Sequence, residues 1–95
     1  MPASKPKVRH SLAVVELDGE AVVFDAATRR LHHLNPSATL VFHLLDGKAT
    51  VKQHAARIAE AFVLPADEVE HQIRALVREF RKADLLEGKD TIEGA

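Results

Sequence analysis

The most constraining feature of this sequence is the dipeptide Asp18-Gly19, which lies between two runs rich in β-forming residues. An Asp-Gly pair in this setting is the strongest short-range signal for a type I′ hairpin, because both turn residues need a positive φ. In the register that such a turn sets, Leu17 faces Glu20. We expect one face of the hairpin to meet the core. That face carries Ala13, Val15, Leu17, Val22 and Phe24.

The rest of the chain predicts one more strand and three helices. Residues Arg30–Leu34 are long enough for a third strand, which would be the edge of a meander. Asn35 and Thr50 are good N-cap residues, and apolar side chains recur at helical spacing after each of them and again after Pro65. The predicted helices are Pro36 to about Leu45, Val51 to about Phe62, and about Asp67 to Lys82. The order predicts an α+β domain with a three-stranded antiparallel meander followed by three helices.

Length and composition limit the classes of protein that the chain can belong to. Ninety-five residues fit one domain, and we predict this domain at residues 9–87, with flexible tails at 1–8 and 88–95. Thirteen basic and 14 acidic residues leave a net charge of −1, so no global field attracts nucleic acid. No apolar run is long enough to cross a membrane, and cysteine is absent, which suits a reducing compartment. We therefore expect a cytoplasmic protein with neither a nucleic-acid nor a membrane partner.

The sequence offers no constellation for catalysis. Six histidines suggest a metal site, but only His71 has acidic neighbours at helical spacing, and one such cluster is too few. The four glycines are isolated, so no phosphate-binding loop is present. We predict no catalytic residue, no cofactor site and no metal site.

Two surfaces remain as candidates for binding. An uncovered edge strand at 30–34 offers unpaired N–H and C=O groups to an extended peptide. The third helix carries Arg74, Arg78 and Arg81 on one outer side, which allows a winged-helix DNA-binding module as the alternative. A solvated helix face with no binding role would explain the same arginines.

Several short motifs occur together in a characteristic order. A run from Asp18 to Asp25 is followed by Leu31-His-His-Leu-Asn-Pro-Ser-Ala38, then Leu44-Leu-Asp-Gly47 and Thr50-Val51. In this order and spacing the chain resembles the PqqD family, the peptide chaperones also called RiPP recognition elements, from about Val8 to Glu87. His32 and His33 stand where many members have aromatic residues, and Arg29 stands where a glycine often closes the turn. A Tyr-Pro-Glu-Gly-like stretch of pyrroloquinoline quinone (PQQ) pathway members is absent, so both PqqD and a PqqD-like protein of another cluster stay open.

The resemblance implies a winged-helix-like fold that binds a precursor's leader peptide antiparallel to the third strand. The peptide would lie in a groove between that strand and the third helix, and a partner enzyme would do the chemistry. Such partners are radical SAM proteins, cyclodehydratases or leader peptidases, in PQQ or other peptide-modification pathways. The open edge also allows a homodimer by domain swapping. The predicted peptide-binding residues are Arg30, Leu31, His32, His33 and Leu34 in the strand, and Ile73, Arg74, Val77 and Arg81 in the helix.

Overall fold

The computed structural model describes residues 5–88 and shows one sheet and three helices in chain order. The sheet is antiparallel, with the strand order β1-β2-β3. Its strands are β1 (Ala13–Leu17), β2 (Glu20–Asp25) and β3 (Arg30–Leu34). The helices are α1 (Pro36–Leu44), α2 (Val51–Phe62) and α3 (Ala66–Lys82). The predicted α+β class and order of elements are confirmed.

The hairpin between β1 and β2 has the predicted turn and register. Asp18 and Gly19 have φ values of 55° and 80°, the pair of positive angles that a type I′ turn requires. Leu17 lies opposite Glu20. The local sequence therefore determines both the turn and the pairing of the strands.

The buried face of the sheet is the opposite of the predicted one. On β2, Ala21 and Val23 are 0% exposed, whereas Val22 and Phe24 are each 37% exposed. All five residues of β1 are exposed, which includes the predicted core residues of that strand. The prediction fails because both alternating sets of side chains are apolar, so the pattern does not say which side the helices cover. The helices pack on the side of Ala21 and Val23, which belong to the same buried cluster as residues of α1, α2 and α3.

Side-chain caps fix where the first two helices begin. The Asn35 Oδ1 accepts a 2.8 Å hydrogen bond from the Ala38 N–H at the start of α1. At the start of α2, Thr50 and Gln53 exchange bonds in a capping box, with distances of 2.8 and 3.1 Å. Helix α3 begins at Ala66, one residue before the predicted start.

The core lies between the inner side of the sheet and the helices. Phe42 of α1 and Phe80 of α3 pack edge to face, with ring centroids 5.8 Å apart. Leu45 and Leu85, just after α1 and α3, are each 1% exposed and close the core. Phe80 thereby packs α3 against α1.

The N-terminal segment joins the domain earlier than predicted. Pro6 accepts a hydrogen bond from the Gly47 N–H, and Lys7 accepts one from the Glu87 N–H at 3.0 and 2.7 Å, respectively. Val8 donates to the Leu45 carbonyl at 3.0 Å. These bonds join residues 6–8, which the sequence assigned to a flexible tail, to the rest of the described chain. Of the predicted tails, residues 1–4 and 89–95 lie outside the described residues.

Among the helices of the described chain, none is both long enough and apolar enough to span a membrane.

Candidate functional site

Strand β3 lies at an edge of the sheet and pairs on one side only. Its partner is β2, in a register that places His32 opposite Val23. Within residues 5–88, no segment pairs with its other side. In an antiparallel strand the N–H and C=O groups of alternate residues point to the same side, so every second residue of β3 presents both groups at this open edge.

A cleft of about 420 Å³ lies between this edge strand and α3. Residues Leu31–Leu34 form its strand side. The helix side is formed by Leu76, Glu79, Phe80 and Ala83. Leu34 and Phe80 are buried, at 7% and 3% exposure, and give the cleft an apolar floor. An extended peptide paired with β3 would place alternate side chains over this floor.

The adjacent histidines of β3 occupy different environments. His32 is opposite Val23, on the side of the sheet that faces the helices, and its Nε2 is buried without a hydrogen-bond partner in the described chain. His33 is exposed, and its Nε2 lies 2.7 Å from the Glu20 Oε1. Adjacent residues of a strand point to opposite faces, which explains this difference. His32 therefore has an unused polar atom at the cleft, and His33 is already paired.

The helix residues of the sequence prediction lie elsewhere. Ile73 and Val77 are core residues, 2% and 8% exposed. Arg74, Val77 and Arg81 border a separate cavity of about 190 Å³, which Pro6 and Val51 also border. The Arg74 Nη2 is bonded to the Glu70 Oε2 at 2.6 Å. The structure does not bring these four residues together with β3, and their role in binding stays a prediction.

The strand residues of the prediction are placed where the sequence put them. Leu31, His32, His33 and Leu34 border the cleft, and Arg30 begins the same strand opposite Asp25. On the helix, Leu76 and Glu79 border the cleft, although neither is among the predicted peptide-binding residues. Leu76 and Phe80 are four residues apart on the apolar stripe, which was a signal for burial but not for which neighbour they face.

The cleft carries little fixed charge. Glu79 is the only residue of fixed charge among those that border it in the described chain, and the other ionisable groups there are the two histidines. No group of three or more His, Asp or Glu residues within 5–88 could hold a metal ion. The cleft is thus suited to hydrogen bonding and apolar contact rather than to the binding of a strongly acidic segment.

Together the fold and the cleft define a class of small α+β domain with an open edge strand beside an apolar groove. Two solved structures share this fold, each with a TM-score of 0.74. One is TbiB1 in complex with the TbiA(beta) leader peptide, which is 21% identical; the match covers 86% of this chain and 95% of that one. The other is lasso peptide synthetase B1 complexed with the leader peptide, which is 19% identical, with 88% and 99% covered.

The family follows from the sequence itself. The family described as coenzyme PQQ synthesis protein D (PqqD) matches residues 20–86, and the chain belongs to this family. The match contains β2, β3 and all three helices, and so both sides of the cleft. A search of curated proteins gives no match. The resemblance that the motifs indicated is confirmed.

Proposed function

We propose that this protein is an adaptor that binds the leader segment of a ribosomally made precursor peptide along β3. The observation that carries the proposal is the open edge of β3 beside an apolar cleft. A leader paired with β3 gains main-chain hydrogen bonds from the strand, and its alternate side chains gain apolar contact with Leu76 and Phe80. Membership of the PqqD family and a fold shared with two proteins solved with leader peptides support the same role.

In this proposal the protein itself performs no chemistry. It presents the bound precursor to a modifying enzyme, such as a radical SAM protein, a cyclodehydratase or a leader peptidase. The cleft supports this division of labour, because it is an open groove beside a strand rather than an enclosed pocket that excludes water. Of the α3 arginines that would favour the DNA-binding alternative, Arg74 is held by Glu70.

Hydrogen exchange tests the proposal directly. Synthetic peptides copied from the N-terminal segments of short reading frames encoded beside this chain serve as probes. A bound leader should slow exchange at alternate amides of residues 30–34, because only every second N–H points to the open edge. The amides of α2, a helix that contributes no residue to the cleft, are the internal control and should not change.

Three outcomes contradict the proposal. The first is that none of these peptides binds. The second is tight binding that leaves every amide of β3 unchanged, since β-augmentation must convert solvent-bonded groups into ladder bonds. The third is slower exchange at every amide of residues 30–34 with no two-residue period. It would mean that the peptide lies over the strand without pairing with it.

A further inference from the structure

The side of the sheet that faces away from the helices is apolar and exposed. Leu17 is 75% exposed, and Val15 and Leu31 are each 68% exposed. Val22 and Phe24, which lie between them on β2, are each 37% exposed. All five share one side, because Val15 pairs with Val22, and Phe24 with Leu31. We call these five residues the outer face.

Charge on this side of the sheet is confined to one pair. Glu20 and His33 lie on the same side as the outer face, and their side chains are 2.7 Å apart. Most soluble antiparallel sheets of this kind present polar residues on the side away from the core. The outer face departs from that rule on all three strands, and large exposed apolar patches mark interaction surfaces.

The size of the outer face sets the kind of contact that it can make. Three strands about 4.8 Å apart, each five or six residues long at about 3.3 Å per residue, give a patch of roughly 14 by 18 Å. Two such patches stacked face to face would remove on the order of 1,000 Å² from water, which is the lower end of specific interfaces. A contact of this size is weak and reversible rather than obligate.

We propose that two copies of this chain stack their outer faces to form a weak symmetric dimer. In a two-fold dimer the same surface of each copy contacts its counterpart, so an apolar and nearly flat patch meets another apolar patch. Two twisted sheets pack in this way about 10 Å apart, with their side chains interdigitated. The net charge of −1 gives little repulsion between copies. Each chain keeps its own β3, unlike in a domain-swapped dimer.

The dimer and the proposed peptide site are separable but adjacent. The inference does not need a bound peptide, since the outer face is complete in the free chain. Leu31 and His33 nevertheless border the cleft from the same strand. If the proposed function holds, a peptide strand added at β3 would widen each sheet, so peptide binding and dimerisation would strengthen each other.

Sedimentation equilibrium of the peptide-free protein tests the dimer. These measurements should span about 20 μM to about 2 mM, which brackets the dissociation constant of a weak dimer. Over this range the average mass should rise from 10.4 kDa towards twice that value. Dilution should shift the NMR methyl signals of Val15, Leu17 and Leu31, in fast exchange. Leu17→Lys should weaken dimerisation at least tenfold, because it buries a charge in an apolar contact.

A matched variant and two outcomes make the test decisive. Phe62→Lys changes an apolar side chain of similar exposure, 63%, at the end of α2, and should leave dimerisation unchanged. Val15→Lys replaces Leu17→Lys if the latter does not fold. A monomer at about 2 mM overturns the inference. So does a dimer that resists the outer-face variants, or one that exchanges slowly with its monomer, as domain swapping would.

Discussion

The Arg9 Nη1 lies 3.1 Å from the Oδ2 of Asp25, a side chain at the end of β2 that is almost wholly buried. The same nitrogen donates to the Asp84 carbonyl at 2.7 Å, so one guanidinium joins the N-terminal segment, the sheet and the chain after α3. Burial by itself raises the pKa of Asp25, but the hydrogen bonds from Arg9 and from the Ala27 N–H outweigh it and hold the pKa below the ordinary 3.8. The carboxylate is therefore stabilised in its charged form by the fold.

Loss of this pair should lower stability more at neutral pH than in acid. Because the folded pKa of Asp25 is lowered, its contribution is fully present above pH 3.8 and is lost as the pH falls through the folded value. We expect Arg9→Gln to lower the melting temperature by several degrees at pH 7, and we expect this difference to shrink below pH 3.8. Thermal melts from pH 7 to pH 3 measure it. Arg78→Gln, an exposed arginine of α3, is the control, and an equal loss in that variant would show a general charge effect.

A second pH dependence should come from His54. This side chain is 5% exposed, its Nε2 has no hydrogen-bond partner in the described chain, and burial lowers its pKa below 6.5. The unfolded chain then binds a proton that the folded chain does not, so the free energy of unfolding should fall as the pH drops from 7 to 5. His54→Leu should flatten this profile in urea titrations. His71→Leu, on an exposed position of α3, should keep it, and a flat profile in the parent protein would contradict the prediction.

Substitutions on the two sides of α3 should change peptide affinity differently. Leu76 borders the cleft, so Leu76→Asp should weaken a leader peptide by about tenfold to a hundredfold through the loss of apolar contact. Leu64→Asp, at a 49% exposed apolar residue outside the cleft, is the control. Fluorescence anisotropy with a labelled leader gives both values.

The same assay tests the role of Arg74 and Arg81, which lie on the side of α3 away from the cleft. If Arg74 and Arg81 contact the peptide as the sequence predicts, Arg74→Glu combined with Arg81→Glu should weaken binding about tenfold to a hundredfold, through lost attraction and new repulsion. Because the cavity beside these arginines is separate from the cleft, we expect a smaller loss than for Leu76→Asp. A larger loss of affinity than for Leu76→Asp would mean that the peptide binds beside Arg74 and Arg81 instead.

Val63 offers a gain in stability. It ends α2 with φ 55° and ψ 56°, in the left-handed region that disfavours a β-branched residue, and it is 89% exposed. Val63→Gly should raise the free energy of unfolding by roughly 1 kcal/mol, because relief of strain exceeds the added freedom of the unfolded chain. Urea denaturation measures the change. Leu64→Gly, its neighbour, should give no gain, and a loss in Val63→Gly would show that this conformation is not strained.

Local sequence signals predicted the order of the elements. The buried face of the sheet depends on packing between elements, and these signals did not predict it. Asp18-Gly19, Asn35 and Thr50 act within a few residues, so the turn, the register and the helix starts could be predicted from them. The choice between Val22 and Val23 as the buried residue depends on which side the helices approach. Two apolar alternating sets leave that choice open in the sequence.

For the same reason, the sequence could not predict which side of α3 borders β3. The apolar stripe of this helix is broad, so a helical wheel shows which residues are apolar but not which of them border β3. Phe80 fixes the answer through its contact with Phe42, a residue far away in the chain. Only the packed structure therefore assigns Leu76 to the cleft and Val77 to the core.

The pairing of Lys7 with Glu87 has a consequence for engineering. The described chain enters and leaves the domain as antiparallel neighbours, since Val8 bridges Leu86 beside that hydrogen bond. A domain whose two connections meet at one point on its surface can be inserted into a loop of a host protein without stretching either chain. The same geometry allows circular permutation, with a short linker across this point and new termini at the Ala26–Arg29 turn.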